Sequence, residues 1–297
     1  MIYKTNIFIC WSLMILFILL PGIAHKGAEL GLDVFIHRLL PYLLPYLVVS
    51  QWLLFVLYKA NSWQPNLLNS LKIYGIGAFG GFPTGAATIA TLVKANMLNS
   101  RTASHLIGIC HAPSPMFVVG VVGTQFLSSP QKGLTLLILI HVINAVFLIL
   151  FHKYIPHDRP VGDTNLNKHI QSPFSEGVHQ TASILLLVAT TVVFFTTVST
   201  VITAVIEYFT TSIPQYFVVF IYSFFEMTAG LEVANQMFAQ SPLFPILAVT
   251  ILSFNGVSIH MQVIVLAKSA SLTLRPYFIY RLFHFILISI AWFILLQ

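Results

Sequence analysis

The chain alternates long apolar runs with short polar breaks, and the runs have the length that crosses a bilayer, about 20 residues each. Read as helices, they fall at 6–24, 41–58, 133–152, 180–206 and 276–296. An amphipathic stretch, Glu29 to Leu40, is expected to lie at the membrane interface. Four further runs are interrupted. Residues 73–93 contain "FGGFPTGA" at 79–86, 104–127 contain "CHAPSPM" at 110–116, 215–238 contain "FEMTAG", and 243–267 contain "SFNGVSIH". The one long polar stretch is 153–177. The N-terminal run, Ile7 to Ile23, lacks a small-x-small cleavage site and reads as a retained helix rather than a signal peptide.

Composition makes the membrane reading firm. Hydrophobic residues are 57% of the 297 and charged residues 7%, too apolar for a soluble chain of this length. The pattern predicts an all-α, polytopic protein in one membrane domain, 1–297. It divides into an N-terminal helix and interfacial segment (1–36), a first repeat (37–157), a polar loop (158–179) and a second repeat (180–297). The net charge of +6 is scattered between spans and is no nucleic-acid footprint. Cys10 and Cys110 stand in apolar surroundings without CxxC or metal spacing and read as two buried, unpaired thiols. There is no HExxH, GxSxG or Walker A sequence, so neither an enzyme nor a metal or cofactor is expected.

Backbone freed by a break cannot face lipid; it is buried in protein or lines a wet cavity. Basic residues then sort the breaks. If 73–93 and 215–238 are re-entrant hairpins and the N-terminus is cytoplasmic, one side holds Lys4, Lys59, Lys72, Lys94, Arg101, Lys153, Arg159, Lys168, Lys268, Arg275 and Arg281. The outer side holds only Lys26, Arg38 and Lys132. That bias obeys the positive-inside rule and gives about seven crossings plus two hairpins. A shift of 144 residues then carries 41–58 onto 185–202, Thr84 onto Thr228, Ser114 onto Ser258, and 133–152 onto 277–296. Three crossings per half would invert the second copy. Inverted repeats with broken helices meeting at the midplane are the architecture of secondary transporters.

The breaks supply the candidate binding residues: Gly81, Pro83, Thr84 and Gly85 at the first hairpin, and His111 and Ser114 at the first broken helix. Glu226 and Thr228 mark the second hairpin, and Asn255, Ser258 and His260 the second broken helix. Glycine permits a tight reversal, proline ends the incoming helix, and Thr84 is placed to cap the outgoing one. A kinked helix packed through glycines would use the same residues. Glu226 is the acid nearest a tip, and an intramembrane acid is a functional candidate, with capping as its plainer role. His111 and His260 suit proton relay, carboxylate binding or a purely structural hydrogen bond. His141 and Asn144, one turn apart, favour interhelical hydrogen bonding, and Arg281 and His284 favour snorkelling to the headgroups.

The stretch "GAFGGFPTGAATIATLVKANMLNSRTASHLIGICHAPSPMFVVGVVG", with "FFEMTAGLEVANQ" and "LSFNGVSIHMQVIVLAKS" later, resembles the sporulation integral membrane protein family of the YlbJ type. The resemblance runs from about residue 37 to the end. It departs at His111, where that pattern has an amide-rich stretch. The resemblance implies membership of the nucleoside-recognition (Gate) superfamily and a fold like that of concentrative nucleoside transporters. It also implies a role in sporulation, associated with moving dipicolinate into the developing spore. Three function classes follow: a permease for a small polar solute, a nucleoside carrier, and a non-transporting scaffold of spore formation. The expected partners are a small-molecule solute and the lipid bilayer, with homo-oligomerisation left open.

Overall fold

The computed structural model describes residues 2–60, 66–152, 172–210 and 212–295, and among these there is no strand. Five helical stretches are long and apolar enough to cross a membrane: Pro21–Leu57, Pro130–Leu150, Pro173–Phe209, Phe244–Ser269 and Arg275–Leu295. The protein is an all-α, polytopic membrane protein. The other two expected crossings take the form of an apolar helix, Tyr3–Leu19, and a split segment ending in Phe117–Phe126. The polar loop expected at 153–177 lies outside the described residues up to position 171, and so do Lys153, Arg159 and Lys168 of the topology count.

The N-terminal third differs most from expectation. Helix α1 spans Ile2–Leu19, and Pro21 at the first position of α2 (Pro21–Asp33) restarts the helix. Helix α2 continues through a π-helical turn, Val34–Leu39, into α3 (Leu40–Ala60). The stretch 29–40 is therefore no interfacial helix. Its apolar face, with Val34, Phe35 and Leu39, is buried in protein. A Cβ added to Gly27 or Gly31 would lie 2.8 or 2.7 Å from the backbone of Thr197 or Val193. Amphipathicity here marks a helix–helix seam, because small residues let two helix backbones approach. The opposite face is exposed and carries the ion pairs His25–Glu29 and His37–Asp33.

The partner in that seam is α8 (Pro173–Phe209), 37 residues or about 55 Å long. At its other end, Gly177 meets the backbone of Trp52. Early residues of α2 thus meet late residues of α8, and late residues of α3 meet early ones, so the two rods run antiparallel. Shifted by 144, Gly177 falls on position 33 and Trp52 on position 196, within three residues of the Gly31–Val193 contact.

Two short-helix pairs insert beside this seam. The first is α4 (Leu67–Gly80) and α5 (Thr84–Lys94), folded back on each other so tightly that a Cβ on Gly77 would lie 2.8 Å from the Gly85 Cα. The second is α9 (Gln215–Phe225) and α10 (Met227–Phe238), where a Cβ on Gly230 would lie 2.5 Å from the Ser223 Cα. At 11 to 14 residues, each arm is too short to cross alone. The broken segments are α6 (Ser100–Ile109) with the π-helical Phe117–Phe126, and α11 (Phe244–Phe254) with α12 (Gly256–Ser269). Helices α7 (Pro130–Phe151) and α13 (Arg275–Leu295) follow each of them in sequence.

Candidate functional site

The four breaks meet. Gly81, at φ +75°, occupies a conformation that favours glycine, and an added Cβ there would lie 2.7 Å from the Ser114 amide nitrogen. The first hairpin tip therefore rests against the first broken helix. The second contact is similar: a Cβ on Gly256 would lie 3.0 Å from the Met227 nitrogen, at the other hairpin tip. Between them lies a cavity of about 30 Å³. Phe82, Pro113, Ser114 and Phe117 of the first half line it, with Glu226, Met227, Thr228, Ile259 and Gln262 of the second. Leu39, Leu43, Val188 and Val192 of the long seam helices complete the wall. This volume holds roughly two water molecules.

Buried groups in a membrane core need partners, and the cavity's polar groups are partly supplied. Glu226 caps α10, its Oε2 accepting from the Ala229 N–H at 2.5 Å. Its Oε1 accepts from the Ser258 hydroxyl at 3.4 Å. Ser114 caps the helix after it, accepting from the Phe117 N–H at 3.2 Å. The Thr228 hydroxyl, 1% exposed, has no partner. Of the sequence candidates, Ser114, Glu226 and Thr228 line the cavity and Ser258 reaches it through Glu226.

The first hairpin differs from expectation at Thr84. The N-cap of α5 is Pro83, with no side-chain cap, and Thr84 is already the first helical residue. Its amide donates to the Gly81 carbonyl at 2.7 Å, while its buried hydroxyl has no partner. The turn at Gly81–Pro83 is tight enough to leave no residue free to cap from outside. Gly85 faces the other way, where a Cβ would lie 2.1 Å from the Cys110 carbonyl oxygen.

His111, Asn255 and His260 turn to the far side of the breaks, around a residue that sequence reading misplaced. Arg281 does not snorkel to the headgroups; it is 5% exposed, inside the bundle. Its Nη1 donates to the His111 carbonyl at 3.1 Å and its Nη2 to His284 Nδ1 at 2.9 Å. With the Asn255 amide oriented to satisfy both its ends, Asn255 Oδ1 accepts from Nη2 at 3.0 Å and its amino group donates to the Leu252 carbonyl. One guanidinium thus ties the two breaks together, at residues that lie 144 apart. The Arg281 charge also sits at the carbonyl-rich ends of α6 and α11, where a cation is favoured. Removing it from the cytoplasmic tally leaves ten residues there against three. The signal for its burial is its spacing: Tyr277, Arg281, His284, Ile288 and Trp292 recur at the three- and four-residue steps of a single buried face.

Other polar residues settle structurally. His260 Nδ1 pairs with the Tyr277 hydroxyl at 2.8 Å and its Nε2 with the Phe254 carbonyl at 3.1 Å. His111 stacks at 4.2 Å on Phe82, which lines the cavity. His141 Nδ1 pairs with the Tyr74 hydroxyl at 2.6 Å across two helices. Cys110 is buried, but Cys10 is exposed on the outer surface of α1, because that helix packs little of its length against the rest.

Comparison with known proteins adds one relative. The chain is 20% identical to "Sporulation integral membrane protein YlbJ" of Bacillus subtilis (strain 168) over 305 aligned positions, covering 88% of this chain and 75% of that protein. No family model matches the chain, and no solved structure matches it. The resemblance carried by the glycine–proline and Pro-Ser-Pro motifs is thus supported along most of the sequence: this is a polytopic membrane protein similar to YlbJ over 88% of its length.

Proposed function

We propose that the chain is a carrier for a small polar solute, acting in sporulation as the name of its relative suggests. The observation that carries this reading is the meeting of all four backbone breaks around one cavity walled by both halves. A scaffold would have no use for breaking its helices at matching places and facing Glu226, Ser114 and Thr228 into that cavity, since each break forfeits helix hydrogen bonds in a medium that does not replace them. The antiparallel seam, and the ties between residues 144 apart, support an inverted repeat that rocks about the site. The basic-residue bias supports a cytoplasmic N-terminus.

At about 30 Å³ the cavity is shut, since small-molecule pockets are typically about 300 Å³ or more. Transport then requires the hairpins to part. Two solutes are worth separating. Dipicolinate follows from the YlbJ-type resemblance. A neutral ring such as a nucleoside is favoured by the lining itself, which offers Glu226 and no cation. Proteoliposome uptake of dipicolinate and uridine, with and without Glu226→Gln, tests both. If dipicolinate is carried with Glu226 protonated, Glu226→Gln retains uptake. If uridine or a coupled cation is carried, the same substitution abolishes uptake in a protein that still inserts and folds. Uptake of neither, in folded protein, refutes the carrier reading for these solutes and favours a scaffold.

A further inference from the structure

An ion pair joins two separate segments: Arg38 Nη2 to Glu232 Oε2 at 3.0 Å. The same guanidinium donates through Nη1 to Gln125 Oε1, and Gln125 Nε2 donates to the Tyr42 hydroxyl at 2.9 Å. This bar links three of the elements that wall the cavity, just beyond it. Arg38 adjoins Leu39, Glu232 is one turn past Thr228 on α10, and Gln125 is about two turns past Phe117. It is also shielded, with side chains 32% and 15% exposed, against 73% and 65% for the surface pair His25–Glu29. Shielding from water and salt makes such a pair matter more than exposed ones.

We infer that the Arg38–Glu232 bar is the gate on one side of the cavity, holding the second hairpin against the π-helical turn and Phe117–Phe126 until a solute is to pass. The inference rests on the carrier reading and its repeat. Under the 144-residue shift, Arg38 falls on Ala182, Glu232 on Thr88 and Gln125 on Ser269. None of these forms an ion pair, so the bar exists on one membrane face only. With the N-terminus cytoplasmic, that is the outer face. The outer mouth is therefore closed by a specific charge pair, whereas the matching positions of the other half, Ala182, Thr88 and Ser269, carry no charge.

The test reads access, not transport. Thr228→Cys is placed in a chain carrying Cys10→Ala and Cys110→Ala, reconstituted in vesicles, and a small membrane-impermeant thiol reagent is added from outside. Arg38→Gln or Glu232→Gln should raise the labelling rate about tenfold. The charge swap, Arg38→Glu with Glu232→Arg, should return it to the parental rate. Should a single variant not insert, the double variant Arg38→Gln with Glu232→Gln, which removes both charges together and leaves neither bare, takes its place with the same expected rise. Parental rates in the neutral variants overturn the gate. Fast labelling that the swap does not reverse overturns it too, since loosened packing then explains the access. Swap-reversible labelling without uptake of any solute leaves the gate standing and removes the carrier reading instead.

Discussion

At the first hairpin tip the chain reverses through Gly81 and Pro83, and α5 starts with no side-chain cap. At the second, Glu226 supplies both the reversal and the cap, its carboxylate taking the Ala229 N–H. The first tip is thus held by shape and the second by charge. The difference bears on what the site can recognise. Two bare helix N-termini would offer partial positive charge to an anion from both sides. Here only α5 keeps its end uncapped, while α10 has spent its donor on its own carboxylate. Glu226 and Thr228 face the cavity from the second half, and Ser114 from the first. A solute bound between them would meet the acid on the side of the second hairpin.

If the first tip is held by shape, filling it should be ruinous. A Cβ on Gly85 would meet the Cys110 carbonyl at 2.1 Å, and that carbonyl is fixed at the end of α6. Gly85→Ala should cost at least the upper part of the ~1–3 kcal/mol range for overpacking, and Gly85→Leu should leave no folded protein by fluorescence-detected size exclusion. Gly75→Ala, with nothing within 4 Å of the new methyl, is the control and should fold normally. A well-folded Gly85→Leu would break the comparison at its root.

The next largest effect falls on the residue that joins the tips' neighbours. Arg281→Met orphans the His111 carbonyl and the Asn255 amide at once. Each buried group left unpaired costs about 1–3 kcal/mol. A fall of several degrees in melting temperature is expected. Arg281→Lys should recover only part of it, because an ammonium lacks the planar fork that reaches both breaks. Full recovery with lysine would mean that charge alone, and not the bridge, matters.

Much of this arrangement was legible in the sequence, and the rest was hidden for physical reasons. The broken runs announced themselves, because glycine and asparagine are poor helix-interior residues and proline removes a helix hydrogen bond, so inside an apolar stretch they need a reason to be there. Arg281 then joins two of these breaks, at His111 and Asn255. Two readings failed on the same ground, which is that periodicity reports a face without naming what covers it. The face of 29–40 is covered by α8 rather than headgroups, and the Tyr277–Arg281–His284 stripe is covered by both breaks rather than lipid. Thr84 failed differently. A threonine beside Pro83 looks like a cap, but capping depends on one backbone turn, and the reversal starts the helix at Thr84 itself.

That last point gives the smallest and sharpest test. If Glu226 is a true cap and Thr84 is not, their removal should differ. Glu226→Ala strips the acceptor from the Ala229 N–H and should cost about 1 kcal/mol, the usual loss of an N-cap. Thr84→Val keeps the side chain's shape and removes only a hydroxyl that has no protein partner. It should leave the melting temperature unchanged or raise it slightly, because a buried donor without an acceptor is a cost that valine does not carry. The thermal shifts of the two variants, measured in one detergent, decide between these roles. If Thr84→Val proves the more damaging, the Thr84 hydroxyl has a partner in the working protein, such as a bound water or the solute. The first tip would then be chemical as well as steric, and a solute that rescues the shift in the parent but not in Thr84→Val would identify what it holds.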